Sequence, residues 1–320
     1  MPNFQGVWNI STQYQNAGIW PFSPANAPAR AVISGGFDQT SVNNVIEYVA
    51  IATTGNASDF GDLTTGNTRS QGSFASQVSF FFFGGYVSGN INVIQKADFF
   101  TLGNTTDYGD LSVASQGGYG VSDKTRGVMA IGYDGNTVNT IEYVSMSSAG
   151  NSTDFGDRTV SVYEGGSCSS PTRGLFAGGS STTNVIDYVT IQTTGNALDF
   201  GDLAEARFAN GGLSSSTRGL IYGGYVNALS NNTFTIEYVT MASTGNASDF
   251  GDLNERLRIR NGGSSTTRGL MMGGMNAAFV RKNQMQYVTI ATTGNTIDFG
   301  DLTTEHADTN GTSNQHGGLQ

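Results

Sequence analysis

The residues best suited to chemistry in this chain come in repeated sets. Six times a phrase of the form Gly-Asn-x-x-Asp-aromatic-Gly-Asp sets two carboxylates three residues apart, as at Asp59 and Asp62. Its closing aspartates are Asp62, Asp110, Asp157, Asp202, Asp252 and Asp301. Five arginines recur with them, at Arg30, Arg126, Arg173, Arg218 and Arg268, and Ser79 stands in the remaining place. Paired carboxylates suggest a cation site, since Ca²⁺ takes roughly six to eight oxygens from a flexible turn. Here an aromatic separates the two acids, which implies a strand, and in a strand residues three apart face opposite ways. The first aspartate can instead cap the preceding turn through its side chain. Recurring guanidiniums suggest internal fasteners, because their fork of donors matches a carboxylate or several main-chain carbonyls. A ring of charges lining a central channel is the other possibility, and Ser79 breaks it. An active site is normally built once, so sixfold repetition argues for structure. A glycine-rich phosphate loop, a nucleophile with a histidine nearby and a metal-binding His/Cys spacing are all missing from the sequence. The expectation is a non-enzyme with no catalytic residue, cofactor or metal.

The elements that carry these residues follow from the period. The aromatics of the phrase fall at Phe60, Tyr108, Phe155, Phe200, Phe250 and Phe299. A repeat of nearly 50 residues means one supersecondary unit per copy, stacked on its neighbours. Each unit opens with a strand such as 172–179, which runs from the arginine into Gly178-Gly179. A second strand follows, of the form Val185-Ile186-Asp187-Tyr188-Val189, apolar on both faces as a strand between two layers requires. Gly195-Asn196 then marks a hairpin turn, the aspartate phrase makes a third strand, and a Gly/Ser stretch at 210–215 reads as the fourth. Four short antiparallel strands per repeat predict an all-β, six-bladed β-propeller over residues 29–320. The propeller part begins at Arg30 without a Gly/Ser strand of its own, and Asn310-Gly311-Thr312-Ser313 supplies one near the other end. The C-terminal strand is therefore expected to close the first blade.

Composition narrows the partners. Charged residues are 12% of the chain, and the net charge is −10 from 15 basic and 25 acidic residues. A polyanion would be repelled, and no Lys/Arg cluster offsets this, so nucleic acid is not an expected ligand. The single Cys168 excludes an intrachain disulfide. No apolar run is long enough for a membrane-spanning helix, so membrane insertion is not expected. The first residues show neither a basic start nor an apolar core, so synthesis in a cytoplasm without a signal peptide is expected. Residues 1–28 stand outside the repeat, with both tryptophans and no charged side chain. Their prolines oppose helix and central strand alike, predicting an irregular N-terminal arm. Its aromatics Phe4, Trp8, Tyr14, Trp20 and Phe22 either pack on this chain or dock on another protein.

The grammar resembles kelch-type propellers, with Gly178-Gly179, Tyr188 and Phe200 at the positions that mark those repeats and Phe where Trp is usual. The resemblance covers residues 29–320 and implies architecture only. Some kelch-like propellers are copper radical oxidases, and that chemistry would need a Cys-Tyr cross-link, two histidines and an axial tyrosine. Here His306 and His316 both lie in the closing tail, far in sequence from Cys168. The wording of the repeat also resembles repeats in virion structural proteins of marine tailed phages. That resemblance implies a virion structural component, such as a tail, fibre or capsid-attached knob, located in the virion and docked to other virion proteins through residues 1–28.

Length varies in one place. The second-strand position held by Tyr48, Lys96, Tyr143, Tyr188, Tyr238 and Tyr287 always precedes the aromatic by 12 residues, whereas the loop after Gly-Gly changes length. Variable loops on one face of a rigid scaffold are a usual place for recognition. Their Asn, Ser, Thr, Tyr and Gly suit adaptable hydrogen bonding, so a host surface glycan or receptor is the alternative partner. An enzyme on this scaffold would show a single asymmetric cluster of charged residues at one channel mouth. The second unit diverges most, with Phe80 to Phe83, Lys96, Phe99 and Phe100, which predicts apolar packing on both of its sides.

Overall fold

The short apolar runs of this chain are buried as strands. In Arg173–Ala177 every residue after the arginine is buried, and in Val185–Thr190 Ile186, Asp187 and Val189 are buried. The computed structural model describes residues 27–320 apart from Gln39, Asn67, Ser181, Thr182 and Asn261. The arm expected at 1–28, with all five of its aromatics, lies outside the described residues except for Ala27 and Pro28.

Six four-stranded antiparallel sheets form a six-bladed β-propeller. Blades 1 to 6 carry the arginine-position strands Arg30–Ser34, Ser79–Phe83, Arg126–Ala130, Arg173–Ala177, Arg218–Tyr222 and Arg268–Met272. In blade 4 the order from axis to rim is Gly166–Ser169, Arg173–Ala177, Val185–Thr190, Leu198–Asp202. The Gly/Ser stretch is thus the innermost strand of the following blade rather than the fourth strand of its own unit. Gly211–Ser214, for example, pairs with Arg218–Tyr222. Because unit and blade are offset by one strand, blade 1 needs a strand from the far end of the chain. Asn310–Ser313 provides it, with Ala31 opposite Ser313 and Ser34 opposite Asn310.

Each junction between blades holds one apolar layer. Leu175, Ile186 and Phe200 of blade 4 pack against Ile221, Val239 and Met241 of blade 5. Tyr188 meets Phe200 edge-on, 6.0 Å between ring centres. Full burial of a side chain the size of Phe200 contributes roughly 2–3 kcal/mol. In blade 2, Phe80 and Phe82 face blade 1 while Phe81 and Phe83 face blade 3, as the alternation predicts.

The aspartate phrase builds the rim. The Gly195 N–H donates to the Phe155 carbonyl at 2.8 Å, and the Ala197 N–H to the Asp157 carbonyl at 2.7 Å. The Asn196 side chain accepts from the Asp157 N–H at 3.1 Å. The same three bonds recur at all six junctions, so the outer strands present no free edge in the plane of the ring. The second glycine of the phrase makes this approach possible. At Gly201, with φ +147°, an added Cβ would stand 2.4 Å from the Gly245 carbonyl.

Antiparallel order sorts the connections onto two faces. One face carries the loops after Gly-Gly and the connectors from each outer strand to the next innermost strand. The other carries the Gly-Asn hairpins and the N-terminal ends of the arginine strands. At this hairpin face a serine closes most innermost strands. Ser214 Oγ donates to the Ser169 carbonyl at 2.7 Å and accepts from the Ser169 N–H at 2.9 Å. Equivalent bonds run through Ser122, Ser264 and Ser313. The tail then folds across the axis. Gly317–Leu319 form a buried 3₁₀ turn; the Leu319 carbonyl accepts from Gln77 in blade 2, and Gln320 accepts from Ser216 in the opposite blade 5.

Candidate functional site

The arginine set and the closing aspartates lie at opposite ends of each blade. Arg126 is opposite Ser145 at the hairpin face, whereas Asp157 is opposite Thr140 at the loop face. No ion pair joins the two sets among the described residues. Each guanidinium instead lies over the tyrosine of its own blade and donates to a carbonyl of the next. Arg173 sits 4.8 Å from the Tyr188 ring centre and donates to the Met241 carbonyl at 3.1 Å. Arg30, Arg126, Arg218 and Arg268 repeat this on Tyr48, Tyr143, Tyr238 and Tyr287. Their carbonyl partners are those of Phe99, Ile191, Ile290 and Ile51. None of these guanidiniums faces the channel, and each fastens one blade to its neighbour.

Blade 2 makes the same link by other means. Ser79 and Lys96 remove both the cation and its ring, and Asp98 takes the Ser79 hydroxyl and the Lys96 ammonium. Tyr108 stands where the other units have phenylalanine. Its hydroxyl reaches the blade 3 carbonyls of Ser145 and Ser148, at 2.5 and 2.7 Å.

A β-bulge at each aromatic changes the geometry of the paired aspartates. Asp59 is opposite Glu47 and Gly61 opposite Ile46, leaving Phe60 as the extra residue. The extra residue restores the parity of the strand, so Asp59 and Asp62 share a face, contrary to the strand argument made from sequence. At the equivalent pair, desolvation together with the neighbouring Asp249 raises the pKa of Asp252.

A second recurring set escaped the sequence reading. The residue before each second-strand tyrosine, or before Lys96, is Glu47, Gln95, Glu142, Asp187, Glu237 or Gln286, and all six are buried. Each accepts from the previous blade, from the residue two positions after its closing aspartate. The Thr303 N–H donates to Glu47 at 3.0 Å, Ala204 to Glu237 at 2.8 Å and Asn254 to Gln286 at 3.0 Å. Counter-charges differ between blades. Arg158 Nε is 2.9 Å from Asp187, Arg207 contacts Glu237, and His306 Nε2 is 3.2 Å from Glu47. Glu142 has the hydroxyls of Ser112 and Ser152. Burial would raise Glu47, but its hydrogen bonds from His306 and Thr303 outweigh that and hold it below the usual carboxylate range. Burial lowers Arg207 to about 10. The signal available in sequence was an acid fixed between two apolar residues of a buried strand.

The loop face differs from blade to blade. Arg258 lies 4.5 Å from the Tyr225 ring centre and 5.7 Å from those of Phe208 and Phe279, and its Nε donates to Asn232. Arg256 lies over Phe234, Arg281 over Phe37 and Arg69 over Tyr86. Phe279 is 62% exposed and Leu229 50%. The two longest variable loops, with the connectors that carry Phe208, Arg256 and Arg258, therefore present an arginine–aromatic platform over blades 5 and 6.

At the centre of this face, six homologous connector residues ring the channel mouth: Ser70, Gly117, Glu164, Ala209, Ile259 and Asp308. The ring is tied by main-chain bonds, including Ser70 N–H to the Asp308 carbonyl and Glu164 N–H to the Gly117 carbonyl. Arg260 Nη1 is 3.8 Å from Glu164 Oε1. Burial raises Glu164, while Arg260 opposes the shift. The mouth thus carries one ion pair, Glu164 with Arg260, that the repeats do not reveal.

No family model matches this sequence, and no curated protein matches it. The platform and the charged mouth are the two features that set the loop face apart from the hairpin face. Cys168 is buried between blades 4 and 5, its thiol against the Leu213 and Leu220 carbonyls, and burial pushes it up to about 12. His306 is bound to Glu47 in blade 1, and His316 caps the axis beside Ser122.

Proposed function

We propose that this chain is a non-enzymatic structural protein of a virion, anchored by residues 1–28 and presenting its loop face outward. One observation carries the orientation. The chain enters blade 1 at the hairpin face, where the Ala27 carbonyl accepts from Gln315 at 2.7 Å and the Pro28 carbonyl from Asn314 at 3.1 Å. The point at which the arm joins the propeller and the arginine–aromatic platform therefore lie on opposite faces. The wording of the repeat supports the virion assignment, and Gly178-Gly179, Tyr188 and Phe200 support kelch kinship. Deleting residues 1–26 tests the reading. A folded, monodisperse propeller that no longer joins the particle is the expected result, and incorporation without the arm refutes it.

The platform favours a second role, attachment to a host surface glycan or receptor. Exposed rings beside a guanidinium and amide side chains suit stacking with directed hydrogen bonds. Under this role Arg258→Ala and Phe279→Ala reduce binding on a glycan array or to host cells and leave melting unchanged. Undiminished binding by both variants rules the platform out.

A further inference from the structure

The channel along the propeller axis is barred at both ends. At the hairpin face the turn Gly317–Leu319 and its capping residue His316 lie across it. At the loop face the bar is Arg260. This residue belongs to the connector entering blade 6, yet its Nη2 donates to the Gly118 carbonyl, in the connector entering the opposite blade 3, at 3.4 Å. Between the bars lies a cavity of about 50 Å³, lined by Ser73, Gly120, Ser167, Gly212 and Gly263 among others. That is room for about three water-sized bodies.

The cavity is rich in donors. The Arg260 side chain is only 4% exposed. Its Nε and Nη1 have no hydrogen-bond partner among the described residues, and the Glu164 carboxylate at 3.8 Å is beyond hydrogen-bond reach. In an antiparallel ladder alternate residues turn their N–H away from the paired strand. Ser167 lies between Gly166 and Cys168, which face Ala177 and Leu175, so its N–H points to the axis. The N–H groups of Gly120, Gly212 and Gly262 hold equivalent positions. Carbonyls at this level are partly used up, since Gly120 accepts from Ser167 Oγ at 2.7 Å and Gly311 from Ser73 Oγ at 2.9 Å. A buried guanidinium with open donors is costly until an acceptor meets it.

We propose that this cavity binds a small monovalent inorganic anion of chloride size, held by Nε and Nη1 of Arg260 and by the inward N–H groups of the innermost strands. Water fills the remaining space and takes up the unused carbonyls. The anion neutralises Arg260 from the channel side, where no carboxylate stands among the described residues, and ties the connector of blade 6 to those of blades 3 and 4. Oxyanions with large organic groups are excluded by the size of the cavity and by the two bars.

Bromide is the probe. Crystals of the full chain grown in sodium bromide are expected to show an anomalous peak on the axis, in contact with Arg260. In solution, the melting temperature is expected to rise by roughly 2 °C for each tenfold increase in bromide above the dissociation constant. Sodium gluconate at equal ionic strength, too large to enter, gives no rise. Arg260→Met abolishes the peak and the bromide dependence, and Glu164→Gln, which leaves Arg260 in place, keeps both. The wild-type crystal decides the matter even where a variant does not fold. An axis holding only water, with no anomalous peak, overturns the proposal.

Discussion

Two buried acids at the same position of different blades are expected to respond very unequally to the loss of their charge. Asp187 and Arg158 have side chains 0% and 1% exposed, 2.9 Å apart. Asp187→Asn leaves the Arg158 guanidinium uncompensated inside blade 4. Breaking one half of such a pair costs about 3–5 kcal/mol, most of it from the charge left behind. Melting then falls by roughly 6–10 °C, at roughly 2 °C per kcal/mol for a chain of this size. Glu142 accepts from Ser112 and Ser152 and has no ion pair among the described residues. The chain itself uses glutamine at this place, where Gln286 accepts from the Asn254 N–H at 3.0 Å and the Thr296 hydroxyl at 2.6 Å. Glu142→Gln is therefore expected to change stability by less than about 1 kcal/mol, because both hydroxyls keep an acceptor. Urea denaturation, followed by tyrosine fluorescence and repeated from the refolding direction, measures both variants. Equal destabilisation by the two refutes the assignment of Arg158 as the deciding partner.

Deleting residues 310–320 removes both the closing strand and the axial cap. The product is expected to lose its monodisperse peak in size-exclusion chromatography, and melting like the full chain would disprove closure. Gly201→Ala drives a Cβ to 2.4 Å from the Gly245 carbonyl, whereas Gly195 has nothing within 4 Å. Both glycines carry positive φ, so Gly201→Ala is expected to cost more than Gly195→Ala by about 1 kcal/mol or more, read from paired urea curves. Burial lowers His316 to about 4 from 6.5. The unfolded chain then binds more protons between those values, so stability falls as pH drops from about 6.5 to 4, by about 3 kcal/mol in all. His316→Gln flattens that part of the melting-temperature profile, and an unchanged profile excludes His316 as its source.

Much of the architecture was legible because it repeats. The constant spacing from Tyr188 to Phe200, and its copies, reports a hairpin and a packed pair of rings. The missing innermost strand before Arg30 announced closure by Asn310–Ser313. What repeats as a type does not report its direction. Arginine and aspartate recur together in sequence, but the antiparallel run of the blade carries them to opposite faces. The bulge at Phe60 was invisible too, since it inserts no unusual residue and still turns Asp59 and Asp62 to one side. Tyr108 reads as a neutral exchange for phenylalanine until its hydroxyl is seen replacing the lost arginine. The channel mouth is hidden for the opposite reason. Glu164, Ile259 and Asp308 occupy one place in the repeat without resembling each other, and Arg260 stands at the next place, where other units have Gln71, Gly118 or Asn210, so no period points to them.

Closing blade 1 with Asn310–Ser313 has a consequence for how the protein is made. The strand Arg30–Ser34 leaves the ribosome first and receives its inner neighbour last. At roughly 5–20 residues per second, that wait runs to about a quarter of a minute or more. Blades 2 to 6 draw all four strands from contiguous sequence and can form in order as they emerge. Blade 1 cannot, and its face toward blade 6 stays uncovered until Phe299 and Leu302 arrive. The nascent chain is thus an open arc with one unfinished apolar end, and sites that slow translation or recruit a chaperone matter most before residue 310 is added.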